Sequence, residues 1–178
     1  MISENLTKVL NEQVNAEYYS AYLYHSMSAF AETEGLKGVA HWLFMQAREE
    51  MAHGIQIYQY ILDRGATPSF AAIEKPPVSF KSVEDIFEQV LKHEQKVTSL
   101  INNIATIAMK ESDHACYQFI LWYVNEQVEE EANATDIFNK AKMIGKDKGL
   151  LLALDNELAA RVYTNPFPTN SKLSGTAL

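Results

Sequence analysis

Four long stretches of this chain repeat apolar residues every three or four positions, the spacing of one buried helix face, and every stripe turns polar near its middle. The first stripe runs Leu6, Leu10, Gln13, Glu17, Ala21, Tyr24, Met27 or Ser28, and Ala31. The second runs Val39, Leu43, Ala47, Glu50, His53 or Gly54, Ile57 and Ile61. The third gives Val83, Phe87, Val90, Glu94, Val97, Ile101, Ile104 and Ala108. The fourth gives Cys116, Ile120, Tyr123, Gln127, Glu130, Ala134, Ile137 and Ala141. Helices that pack by these faces must bring Glu17, Glu50, His53, Glu94, Gln127 and Glu130 into the interior.

One offset relates the two halves. Glu17 and Glu94, Glu50 and Gln127, and His53 and Glu130 are each 77 positions apart. The same shift lays Trp42-Leu43-Phe44-Met45 on Phe119-Ile120-Leu121-Trp122 and Glu49 on Glu126, so the second helical hairpin reads as a diverged copy of the first. Two such halves can face each other about a pseudo-two-fold axis, with their polar positions at one height.

Punctuation sets the topology. Gly35 and Gly38 interrupt the pattern after the first stripe, and Gly65 with Pro68 ends the second. The stretch from Gly65 to Phe80 holds three of the five prolines and reads as an extended crossover. Ser82-x-x-Asp85 has the form of a helix-starting capping box. Glu111-Ser112-Asp113 makes a short break, and Asp147 to Arg161 forms a fifth, shorter helix rich in Leu and Ala. No strand pattern appears. Two short hairpin connections flanking one long crossover predict an all-α four-helix bundle with parallel middle helices and a short C-terminal helix. We expect one domain over residues 1–163 and a flexible tail over 164–178.

A belt of this kind needs neutralising. Burying one unpaired carboxylate costs several kcal/mol, against a total domain stability of about 5–15 kcal/mol. No Lys or Arg lies on the stripes at belt height, because Arg48 sits about 200° around the helix from Glu50. Four facing carboxylates must then be protonated, hydrated or matched by cations. A single Glu on a stripe ordinarily sits at a bundle end near water, but four at one offset do not fit that account. Oxygen donors with one imidazole and no thiolate suit iron or manganese better than zinc. A carboxylate central to each half can bridge two ions. Glu50-x-x-His53 alone is a weak signal, and a zinc-protease reading fails because position 49 is Glu where a first His would be needed. His25, His41, His93 and His114 lack such partners and read as surface or packing residues.

Composition narrows the partners. Fifteen basic against 23 acidic residues, a net charge of −8, disfavour a nucleic-acid backbone or an anionic membrane. No apolar run approaches the ~18 residues of a membrane span. MISENLTKVL has no basic n-region followed by an apolar core, and the one cysteine, Cys116, can form no internal disulfide, so a cytoplasmic location is expected.

The order Glu17, Glu50-x-x-His53, Glu94, Gln127-x-x-Glu130 resembles the bacterial and archaeal non-haem ferritins, over roughly Leu6 to Phe167. Ferritin-like proteins are the standing example of inward carboxylates in a bundle. The symmetric version repeats Glu-x-x-His in both halves, as bacterioferritins do, whereas this chain has Gln127-x-x-Glu130 in the second. The resemblance implies iron storage with ferroxidase activity, oxidising Fe(II) with O₂ or peroxide at a diiron centre. It implies that Glu17, Glu50 and His53 bind one iron, that Glu50 bridges to a second held by Glu94 and Glu130, and that Gln127 hydrogen-bonds bound oxygen species. It further implies a third iron site at Glu49, Glu126 and Glu129 with Glu130 shared, and a redox or hydrogen-bonding role for Tyr24. Met51 matches the haem-ligand position of bacterioferritins, but we read it as a helix-packing residue and expect no haem. A homo-oligomeric shell of twenty-four subunits, with the fifth helix lining a symmetry axis, completes the resemblance. Two other readings use the same bundle: a rubrerythrin-like diiron peroxidase, which needs an electron-delivering cysteine pair, and a helical assembly protein with a degenerate site. A haem-containing, bacterioferritin-like shell is a further variant.

Overall fold

The computed structural model describes residues 2–165 and Phe167. The proposed tail therefore lies mostly outside the described residues. Five helices follow one another: α1 (Glu4–Thr33), α2 (Lys37–Asp63), α3 (Val83–Lys110), α4 (His114–Ile144) and α5 (Lys148–Leu158). Every regular element among the described residues is a helix, and none is long and apolar enough to cross a membrane.

Side chains at the helix ends fix the directions. Ser3 and Asn5, at the start of α1, both bond Glu111 at the end of α3, so these two helices run antiparallel. Arg64, just past α2, grips Asp113 at the start of α4 through Nη2 to Oδ2 at 2.7 Å and Nη1 to Oδ1 at 3.2 Å. Helices α2 and α3 therefore run parallel, and the extended crossover carries the chain back along the bundle, as the two short connections require. Ser82 Oγ accepts from the amide of Asp85 at 3.1 Å, while the Asp85 carboxylate reaches back to the amide of Lys81 at 2.8 Å. The expected capping box forms, with its return bond one residue early.

Helix α2 is capped from outside. Its N-cap residue, Leu36, offers no side-chain acceptor, and Asp155 of α5 supplies one by accepting from the amide of Val39 at 2.8 Å. Gly35, at φ +79°, makes the turn after α1. Gly38 is not an interruption but part of α2, where the backbone of α5 passes so close that an added Cβ would fall 1.6 Å from the Asp155 carbonyl oxygen. Gly38→Ala must push α5 off the bundle end, and we expect a loss of about 1–3 kcal/mol, seen as a lower thermal midpoint with the belt intact.

The core is divided. One apolar cluster gathers Tyr24, Met27, Leu43, Phe87 and Ile137 toward one end, and another gathers Leu6, Leu10, Ile57, Ile101 and Ile120 toward the other. Between them lie the buried polar residues Gln13, Glu17, Ser20, Gln46, Glu50, His53, Glu94, Gln127 and Glu130. The polar belt is a complete layer of the interior, and two apolar blocks hold it at fixed height.

Candidate metal centre

Each helix delivers its share of the belt from a mid-helix position, where the backbone is fully hydrogen-bonded and the rotamer choice is narrow. Glu17, Glu50 and His53 present ligand atoms that all lie within 4.8 Å of one another. His53 Nδ1 faces Glu50 Oε2 at 3.4 Å. Amides four residues upstream steady the two carboxylates: Gln13 donates to Glu17 Oε1 at 2.8 Å, and Gln46 donates to Glu50 Oε1 at 3.0 Å. Gln46 was absent from the stripe reading, although its spacing from Glu50 repeats that of Gln13 from Glu17. On the opposite side, the Tyr24 hydroxyl donates to Glu94 Oε1 and Gln127 Nε2 donates to Glu94 Oε2 at 3.1 Å. Gln127 also reaches Thr98 Oγ1 at 3.3 Å, so its amide is used in holding Glu94.

Electrostatics follow from crowding acids in a dry layer. Burial, then the charge of Glu50, raises Glu17 well above the ordinary carboxyl range. Burial and Glu50 likewise push Glu94 up to about 8. Glu130 is raised by burial and by Glu94. Glu50 moves the other way: burial would raise it, but the bond and charge of His53 outweigh that and keep it ionised. His53 is raised to about 9, because Glu50 more than offsets the burial that would lower it. Charge is concentrated on one buried pair, Glu50 with His53, among acids whose hold on their protons is raised.

Four buried belt atoms have no hydrogen-bond partner: Gln13 Oε1, Glu17 Oε2, Gln46 Oε1 and His53 Nε2. Among the described residues no Lys or Arg pairs with any of the four belt carboxylates. Two carboxylates and an imidazole with ligand atoms within 4.8 Å of one another fit divalent iron by donor type.

Comparison with known proteins agrees with this geometry. Residues 7–144 match the ferritin-like domain family. The bacterial non-heme ferritin of Staphylococcus aureus strain USA300 is 39% identical over 163 residues, covering 92% of this chain and 98% of its own. That of Staphylococcus saprophyticus is 40% identical over the same span, with the same coverage. This chain belongs to the ferritin-like family. The solved open-pore ferritin of the archaeon Archaeoglobus fulgidus superposes with a TM-score of 0.89 at 45% identity, over 90% of this chain and 98% of that one. A closed form of the same ferritin, made by site-directed mutagenesis, superposes at 0.90 with 44% identity, over 92% and 100%.

The ferritin-like bundle carries a second cluster on the outer side of His53. Glu49, His53 and Glu126 offer ligand atoms within 4.8 Å of one another. Of the residues expected at a third site, Glu49, Glu126 and Glu129 with Glu130 shared, the structure brings Glu49 and Glu126 together with His53, while Glu129 is exposed. Glu129 lies close enough that its charge helps raise the Glu126 carboxyl, after burial and the charge of Glu49. A cation also reaches the cluster: Arg161, beyond α5, pairs with Glu49 at 2.6 Å. Helix α5 ends at Leu158 and not at Arg161, closing in turns from the Ala160 amide to the Glu157 carbonyl and from the Arg161 amide to the Leu158 carbonyl. Met51 is 41% exposed. His93 does pack, bonding Ser20 Oγ at 2.7 Å and lying edge-on to Tyr24.

Proposed function

We propose that this chain takes Fe(II) into the belt, oxidises it, and passes the ferric product to a mineral stored within a shell of like subunits. The observation that carries the reading is the buried layer itself, with four carboxylates and an imidazole, no Lys or Arg among the described residues pairing with those carboxylates, and unpartnered atoms on Glu17 and His53. In this reading Glu17, Glu50 and His53 hold one iron, Glu50 also faces the second, and Glu94 and Glu130 complete that second position. Hard anionic oxygens favour the ferric state, which drives electrons toward the oxidant. The balance is two Fe(II), one O₂ and two protons giving two Fe(III) and one hydrogen peroxide.

The chain's own residues handle position and protons. Glu17, Glu94 and Glu130, whose hold on their protons is raised, and the protonated His53 would each release a proton as two Fe(II) enter, so the incoming positive charge is offset within the layer. Tyr24 and Gln127 keep Glu94 aimed inward throughout. Glu49 and Glu126, beside His53, form the natural onward position for a third iron. Exposed Leu150 and Leu152 on α5 supply an apolar face for contact between subunits in the proposed shell of twenty-four.

Anaerobic Fe(II) titration followed by O₂, with particle mass recorded alongside, tests the proposal. Two or three irons per chain in a large particle are expected. Fewer than two per chain, or a monomer, defeats it. A rubrerythrin-like peroxidase is the weaker reading, since the lone Cys116 is buried and its thiol is pushed up to about 11 by burial, a poor electron donor.

A further inference from the structure

Beyond α5 the chain turns back along α2. The Arg161 guanidinium lies 4.3 Å over the Trp42 ring, and its carbonyl meets His41 Nε2 at 2.8 Å. Tyr163 then stacks under Arg48 at 5.0 Å, and Phe167 reaches the belt with its ring 6.0 Å from His53 and 4.7 Å from Trp122. From Trp42 to His53 a helix rises about 16 Å, and the chain from Arg161 to Phe167 extends at most about 20 Å. The described residues 161–165 and Phe167 thus run as a strap lengthwise over the groove between α2 and α4.

The strap brings one charge to a particular place. Arg161 Nη2 donates to Glu49 Oε2 at 2.6 Å, with the two side chains only 18% and 16% exposed. Arg161 Nη1 is buried without a partner, and so is His53 Nε2, which belongs to the cluster with Glu49 and Glu126. The cluster therefore holds a tethered cation at one end and an unused nitrogen in its middle. A dication bound there would sit about 4–5 Å from the guanidinium, where like charges in part-buried surroundings repel by more than a surface ion pair is worth.

We propose that Arg161 is a built-in counterion for this second cluster: it occupies Glu49 until a divalent cation takes Glu49 and Glu126 beside His53, and then leaves with the strap. The inference rests on the reading of the belt as an iron centre, because His53 belongs to both groups. Its consequence is an order of loading. The belt, free of arginine, fills first; the outer cluster fills later and more weakly, because each ion entering it must displace Arg161.

Zn(II), which is redox-silent, is the probe, and Trp42 is the reporter. The chain has two tryptophans, so Trp122→Phe leaves Trp42 alone beneath Arg161. In the metal-free shell of that variant, Zn(II) should bind in a tight class silent at Trp42 and a weaker class that changes its emission. Adding Arg161→Ala should tighten the weaker class roughly tenfold, the size of one part-buried ion-pair contact, and silence the emission change, with the tight class untouched. Glu49→Gln should free Arg161 without metal, so that Trp42 emission starts where the Zn-loaded parent ends. An unchanged or weakened second class in Arg161→Ala, or unaltered starting emission in Glu49→Gln, overturns the counterion role. Absence of the tight class in the parent would instead sink the iron-centre reading.

Discussion

Glu50→Ala should abolish the fast phase of Fe(II) oxidation, slowing the first two irons per subunit by at least ~100-fold, since even partners outside the ligand set cost 10–100-fold in metal sites. Glu50 is the one belt carboxylate the surroundings keep ionised, it faces His53 at 3.4 Å, and its charge acts on Glu17, Glu94 and Glu130. Its removal takes away the group common to both proposed iron positions and leaves His53 buried beside no counterion. Stopped-flow absorbance after mixing with O₂ reads the result. Glu50→Gln is the control for collapse of the layer, because it keeps the shape and the contact with Gln46 but gives up the charge. The same loss in both variants, with unchanged helicity, assigns the effect to the carboxylate. A surviving fast phase in either would remove Glu50 from the centre.

Much of this centre was readable because helical periodicity is a physical record of which side chains face inward. The fourth stripe, Cys116 through Ala141, is residue for residue the buried face of α4. The third gains only Ile86 and Ala105, which widen the same face. The 77-residue offset placed six polar residues in one layer, and all six are buried there. What periodicity could not report is what arrives from another element. Asp155 caps α2 across 116 residues of sequence, and Gly38 is small because of a backbone that no local pattern announces. Arg161 lies outside every helix, so a search of the stripes for a neutralising cation was bound to pass over it.

The state of the belt without metal leads to a second large effect, in stability. Glu94 binds its proton up to about 8 in the folded chain but only to about 4.5 when unfolded, so the folded state holds an extra proton between those values and stability falls as pH rises through them. His53 has the same sign: raised from 6.5 to about 9, its contribution is complete below the lower value and is lost as pH passes the upper one. Glu17 and Glu130, both raised, add to the same slope. The metal-free protein should therefore melt lower at about pH 8.5 than at about pH 5.5, by roughly 5–10 °C for a change of a few kcal/mol in a chain of this size. Divalent iron under anaerobic conditions must displace these protons to bind, so its affinity and its stabilising increment should both grow over the same range. Scanning calorimetry with and without Fe(II) separates the two trends, which run in opposite directions. A metal-free midpoint that is flat or rises with pH would mean that the belt acids are already ionised and solvated, and a layer of that kind could not serve as the dry, proton-balanced seat for iron derived from its geometry.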